Sequence, residues 1–218
     1  MFKNAIACKL AAAVFTLFAI AGGNAATATV IPVGAGYHVT LDTSAFSGAG
    51  WLDLSFIPGQ LPAAGLNAYV SNFSGALGSI VEQSGETGGS LSGGLTFGNH
   101  TTYNDHLQQI TLGGLFSFDL AFFAVIPATT GTSGTNFNID LLRPDFGYLG
   151  NPNGHVAEWS LTPPNGASHD WGIASRVYDA RFATVGPNVA TAVPEPGTLL
   201  LMSISLAALG LTIARKPG

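Results

Sequence analysis

Several stretches of this chain alternate apolar and polar residues one by one, and that rhythm restricts the fold more than any other feature. Trp51-Leu52-Asp53-Leu54-Ser55-Phe56 puts Leu52, Leu54 and Phe56 on one side and Asp53 and Ser55 on the other. Leu115–Leu120 (LFSFDL) and Asn136–Leu141 (NFNIDL) repeat the pattern; Tyr37–Leu41 (YHVTL) is a further case and Val177–Phe182 (VYDARF) a weaker one. A period of two belongs to a half-buried strand, whose side chains point to alternate faces; an amphipathic helix needs 3.6. Leu66–Phe73, His106–Leu112 and Val156–Leu161 are further strand candidates, and Gly, Pro, Asn and Ser clusters separate most of them. Eight or more strands without a helical period predict an all-β antiparallel β-sandwich over residues 27–192, with a jelly roll as the leading subtype and the strand order left open. Gln83–Gly94 and Ala128–Thr135 read as loops, and Asn151–Gly154 and Pro163–Gly166 as tight turns.

Charge narrows the partners. Only 9% of the 218 residues are charged, against about a quarter in ordinary soluble domains. The strand-rich body carries eleven acids, three arginines (Arg143, Arg176 and Arg181) and no lysine, a net charge of −8. Such a surface repels polyanions unless divalent cations bridge, so nucleic acid is not an expected partner.

The two ends differ from the body. Lys3 and Lys9 precede or flank the apolar run Leu10–Ala21, and Gly22-Gly23-Asn24-Ala25-Ala26 follows it with small residues. That is the layout of a signal peptide over residues 1–26, read by the export machinery and signal peptidase. Cleavage after Ala25 fits, and cleavage after Ala28 is the alternative. Cys8, the single cysteine, falls inside this segment, so the mature chain is expected to hold no disulfide. At the other end, Thr198–Ala214 is 17 uncharged residues, the lower limit for a membrane-spanning helix. Arg215 and Lys216 follow it and hold the tail on the cytoplasmic side. Val193-Pro194-Glu195-Pro196-Gly197 precedes it, and its two prolines keep the chain extended.

Val193, Pro194, Glu195 and Pro196, then the apolar span, then Arg215 and Lys216 at the very end resemble the PEP-CTERM sorting signal. The resemblance covers residues 193–218 and divides them into motif (193–197), transmembrane segment (198–214) and basic end (215–218). It implies processing by exosortase, a membrane-embedded cysteine transpeptidase-like enzyme, in a Gram-negative bacterium that makes exopolysaccharide. It also implies an intermediate tethered transiently in the inner membrane, followed by delivery to the cell surface or extracellular matrix. In the body, Leu52–Gly59 (LDLSFIPG), Ala68–Gly75 (AYVSNFSG) and Phe137–Leu142 (FNIDLL) resemble one group of uncharacterised PEP-CTERM proteins without an assigned activity.

Candidate chemistry is sparse. Asp42, Asp140, Asp145, Asp170 and Asp179 stand next to strand ends and are the candidate ligands for a structural calcium, although no EF-hand loop or glycine-aspartate repeat accompanies them. His38, His100, His106, His155 and His169 form no zinc spacing, His169-Asp170-Trp171 is not a triad by adjacency, and no G-x-S-x-G elbow is present. Glu158 is available for a glycosidase carboxylate pair. Trp159 and Trp171 adjoin turn-rich stretches and are the first candidates for exposed sugar-stacking rings, while core packing is the competing use of every aromatic. Asn72 and Asn99 stand in N-x-S/T sequons. The expectation is an exported, non-catalytic surface or matrix protein associated with exopolysaccharide, without a cofactor. A calcium-dependent carbohydrate-binding module and a glycan hydrolase are the alternatives.

Overall fold

The computed structural model describes residues 29–126, 132–165 and 170–188. All twelve elements among them are strands: β1 Thr29–Asp42, β2 Gly48–Pro58, β3 Leu66–Ser74, β4 Leu77–Ser84, β5 Thr87–Ser90, β6 Gly94–Phe97, β7 Asp105–Leu112, β8 Leu115–Ile126, β9 Thr135–Leu142, β10 Ala157–Thr162, β11 Gly172–Val177 and β12 Ala183–Pro187. They form two antiparallel six-stranded sheets, ordered β12-β1-β8-β3-β6-β5 and β11-β10-β9-β2-β7-β4. Within the first eight strands β1 pairs with β8, β2 with β7 and β3 with β6, and β4 lies beside β5. This is one long hairpin folded over on itself, the jelly roll expected from the sequence. It departs from the simple form at β5, which bonds to β6 in the first sheet. Strands β9, β10 and β11 then extend the second sheet beyond β2, and β12 extends the first beyond β1.

The alternation decides which face goes inward. Leu52, Leu54 and Phe56 on β2, Phe116, Phe118, Leu120 and Phe122 on β8, and Phe137, Ile139 and Leu141 on β9 are all buried between the sheets. Aromatic rings run through this core: Tyr37 meets Trp159 edge-on at 5.6 Å, Trp159 meets Phe137 at 6.0 Å, and Phe137 meets Phe97 at 5.6 Å. Two buried amides tie loops to the sheets. Asn99 accepts from Leu66 N–H at 3.0 Å and donates to Ala64 O at 2.7 Å and Thr135 Oγ1 at 2.9 Å. Asn104 donates to Phe56 O and accepts from Glu86 N–H.

Two local readings change. Val177–Phe182 is not a strand: β11 ends at Val177, and Asp179 O accepts from Phe182 N–H and Ala183 N–H in a turn that leads into β12. Gln83–Gly94 is not a loop: Gln83 and Ser84 end β4, and the rest runs through β5 to the first residue of β6, its hairpin partner, with Gly89 at φ +88° where a Cβ would sit 2.2 Å from Gly94 O. The glycines that suggested a loop are what let these two backbones approach. The signal peptide (1–26), the motif (193–197), the transmembrane segment (198–214) and the basic end (215–218) lie outside the described residues. Among the described residues no helix is long and apolar enough to cross a membrane.

Candidate functional site

The outward face of the second sheet gathers five of the body's eleven acids, Asp53, Glu82, Asp105, Asp140 and Glu158. Register sets two neighbouring rows across it. Arg176, Glu158, Asn138, Ser55, Asp105 and Ser84 face one another in order from β11 to β4. One pleat along, Asp140, Asp53, Leu107 and Glu82 do the same. Outward strand positions normally face water. Here Asp105, Asn138, Ser55 and Asp140 are less than a tenth exposed. His155 covers one end by donating from Nδ1 to Asp140 Oδ1 at 2.8 Å, and Asn138 donates to Ser55 Oγ at 3.2 Å.

Asp53 and Asp105 make the electrostatic centre of this face. Burial is the main reason the Asp53 carboxyl is pushed up to about 9; its hydrogen bond with Asp105 and the charges of Asp105, Asp140 and Glu82 add to the effect. Asp53 keeps its proton because a further negative charge beside Asp105 is too costly out of water. The nearest row offers Arg176 only at its far end, where its guanidinium lies over the Tyr178 ring, 4.6 Å from the centroid. Tyr103 is likewise raised, mainly by burial and then by the Asp105 and Asp53 charges. Oδ1 of Asp53, Oδ1 of Asp105 and Oδ1 of Asn138 are buried and have no hydrogen-bond partner.

An aromatic row borders the acids. Trp51 faces Leu142 on β9 and Gln109 on β7, and Leu142 bridges to Tyr148. Phe146 lies flat on Trp51, with centroids 5.8 Å apart and planes 7° from parallel. Phe146 and Tyr148 are exposed. Thus Trp51 shows a ring surface where sequence adjacency had favoured others. Trp159 is fully buried in the core, because its outward neighbours on β10 are Glu158 and Ser160. Trp171 is half-buried against the same core.

The proposed calcium ligands are dispersed. Asp42 caps Ser44 N–H, Asp145 caps Gly147 N–H, and Asp179 caps Arg181 N–H, each two residues on, as Asx turns require. These caps and neighbours hold all three carboxyls below the usual range: Ser44 for Asp42, Gly147 and then Arg143 for Asp145, Arg181 for Asp179. Asp170 is exposed just before β11. Of the five, only Asp140 belongs to the acid-rich face. Among the described residues no group of three or more His, Cys, Asp or Glu is arranged to hold a metal ion.

Three histidines each engage a carboxylate through Nδ1: His38 with Asp119, His100 with Glu86, and His155 with Asp140. Among the described residues no serine or threonine hydroxyl bonds to a histidine ring. His106 instead faces inward, bonds to Gln108, and is pushed down by burial. His169 lies outside the described residues. Glu158 accepts from Tyr178 OH and Ser160 Oγ. Of the two sequon asparagines, Asn72 is exposed and donates to Asp119, whereas Asn99 is fully buried and its amide is used up by the fold.

Sequence reasoning found Asp53 and Ser55 as outward residues but not their pairing with Asp105, which register alone supplies. It also missed Phe146, which follows β9 in a tight turn, although Trp51 and Tyr148 were among the rings available for sugar stacking. Comparison with curated proteins and with solved structures gave no match. Residues 192–216, which hold Val193, Pro194, Glu195, Pro196, the apolar span and Arg215-Lys216, match the family model described as the PEP-CTERM protein-sorting motif, so the chain carries a C-terminal tail of the kind that marks an exported protein for sorting by exosortase.

Proposed function

We propose that the exported body is a non-catalytic surface or matrix protein that associates with exopolysaccharide through the outward face of the second sheet. The observation that carries this reading is the composition of that face: an acceptor-rich polar pair of rows beside an aromatic row, with no lysine to recruit a polyanion. Ring C–H faces of a sugar pack on the exposed planes of Phe146 and Tyr148, and its hydroxyls bond to the partly exposed polar groups that edge the rows, His155 and Glu158. Hydrolysis is disfavoured because Asp53 and Asp105 bond to each other, whereas a retaining glycosidase holds its two carboxyls about 5–5.5 Å apart with sugar between them. The reading takes no cofactor, since Asp42, Asp145 and Asp179 already serve as turn caps.

The test is co-sedimentation of the processed protein, purified from its producing bacterium, with that bacterium's own exopolysaccharide, in calcium and in chelator. Saturable binding in both conditions is expected, with no rise in reducing ends. Absence of sedimentation refutes association; new reducing ends refute a non-catalytic role; binding lost in chelator supports the calcium-dependent module instead.

A further inference from the structure

Phe146 has a backbone that its side chain does not favour. Its φ is +62°, the left-handed region that glycine and asparagine enter readily and a bulky ring does not. The turn around it is closed tightly: Arg143 N–H donates to Gly147 O, Phe146 N–H donates to Arg143 O, and Gly147 N–H donates to Asp145 Oδ1. A turn built only to reverse the chain would place Gly or Asn at position 146. This one carries a phenylalanine that stays 57% exposed and stacks in parallel on Trp51. The strain therefore does not gain core packing; it gains a flat aromatic surface at a fixed place.

That place adjoins polar groups of the right kind. Trp51 and Asp53 are successive outward residues of β2, so their rows lie about 7 Å apart. Asp140 is opposite Asp53, and His155 is bonded to Asp140. Tyr148 continues the aromatic row through Leu142. We propose that Phe146, stacked on Trp51 and flanked by Tyr148 and the Asp140–His155 pair, is the subsite that holds one pyranose ring of an uncharged glycan. The uncharged class follows from charge: the body carries eleven acids and no lysine, which repels uronate, sulfate or phosphate-bearing polymers. A polycation finds little to pair with here, because Asp140 and Asp105 are covered rather than presented.

This subsite rests on the glycan-associating reading above, and the experiment separates the two. The protein as processed and released by its producing bacterium is compared as wild type, Phe146→Gly, Phe146→Ala and Leu115→Ala. Binding to that bacterium's exopolysaccharide is measured before and after the acidic polymers are removed on an anion exchanger. The wild type is expected to bind the uncharged fraction. Phe146→Gly suits the left-handed backbone and should show no fall in Tm, while its affinity falls tenfold or more. Phe146→Ala should lose affinity equally. Leu115, 63% exposed at the start of β8, is a surface control, and Leu115→Ala should bind as the wild type does. Unchanged binding by Phe146→Gly overturns the subsite and leaves exopolysaccharide association intact. Wild-type binding confined to the acidic fraction overturns the uncharged class. No binding by the wild type overturns both readings.

Discussion

Replacing Asp53 by asparagine isolates the proton that the fold retains on the second sheet. In the unfolded chain a carboxyl of this type titrates near 3.8, and in the folded protein burial and Asp105 push Asp53 up to about 9. Between those two values the folded state holds a proton that the unfolded state has released. Stability is then fully present below the unfolded value and is lost as pH rises through the folded one. One bound proton corresponds to about 1.4 kcal/mol per pH unit. From pH 5 to pH 8 the wild type should lose about 4 kcal/mol from this group alone. For a domain of this size that is roughly 8–16 °C in Tm. Asparagine imitates the protonated acid and cannot ionise, so Asp53→Asn should lack this slope and exceed the wild type at pH 8. Asp105→Asn removes the partner charge and should flatten the slope in part. Urea unfolding followed by the fluorescence of buried Trp159 reads all three proteins at each pH. Parallel decline of wild type and Asp53→Asn between pH 5 and pH 8 would refute the proton retained on Asp53.

Other expectations follow from single contacts. Asn99→Ala strands the buried Leu66 N–H and removes the bonds to Ala64 O and Thr135 Oγ1, so it should destabilise by about 3 kcal/mol in chemical denaturation. His155 is held above its usual value mainly by its bond to Asp140; its stabilisation is complete below about pH 6.5 and fades as pH rises through the raised value, and because the ring is partly exposed, His155→Gln should cost no more than about 1 kcal/mol at pH 6 and less at pH 9. His106 has the opposite sign: burial lowers it, so its neutral form favours folding above pH 6.5 and stability falls as pH drops below that, a decline that His106→Gln should reduce in the same titration. Intact mass of the protein released by its producing bacterium should lack residues 1–25 and everything after Pro196; a full-length tail on the released protein would refute exosortase processing.

The readable part of the fold is the part where one face is apolar and the other is not. Strands β2, β8 and β9 announce themselves because Leu52, Leu54 and Phe56, then Phe116, Phe118 and Leu120, then Phe137, Ile139 and Leu141, all turn inward against one core. Strand β4 is silent because it lies at the sheet edge with Ile80 and Val81 both exposed, so no alternation is imposed on it. Strands β5 and β6 are silent for another reason: Gly89 allows close backbone approach, and together with Gly88 and Gly94 it also looks like a loop. Val177–Phe182 misleads because Asp179 and Arg181 alternate with apolar residues while forming a turn through their own side chains. The site depends on register, which no local window contains. Asp53 meets Asp105 because Ser55 pairs with Asp105 across β2 and β7, and a shift of one residue would send Asp53 into the core.

The outward face of the second sheet carries two costs that stability alone does not explain. Asp53 retains a proton to about pH 9 because its charge is unwelcome there, and Phe146 keeps a left-handed backbone that glycine would adopt more easily. Local rules broken without gain in packing concentrate at surfaces selected for something other than folding. Trp51 connects them, since it stacks on Phe146 and stands one pleat from Asp53. The combination Asp53→Asn with Phe146→Gly tests that logic in one molecule. At pH 8 it should be more stable than the wild type, and it should hold exopolysaccharide at least tenfold more weakly. A double variant that is more stable and binds undiminished would show that both costs are idle, and that the face that binds lies elsewhere.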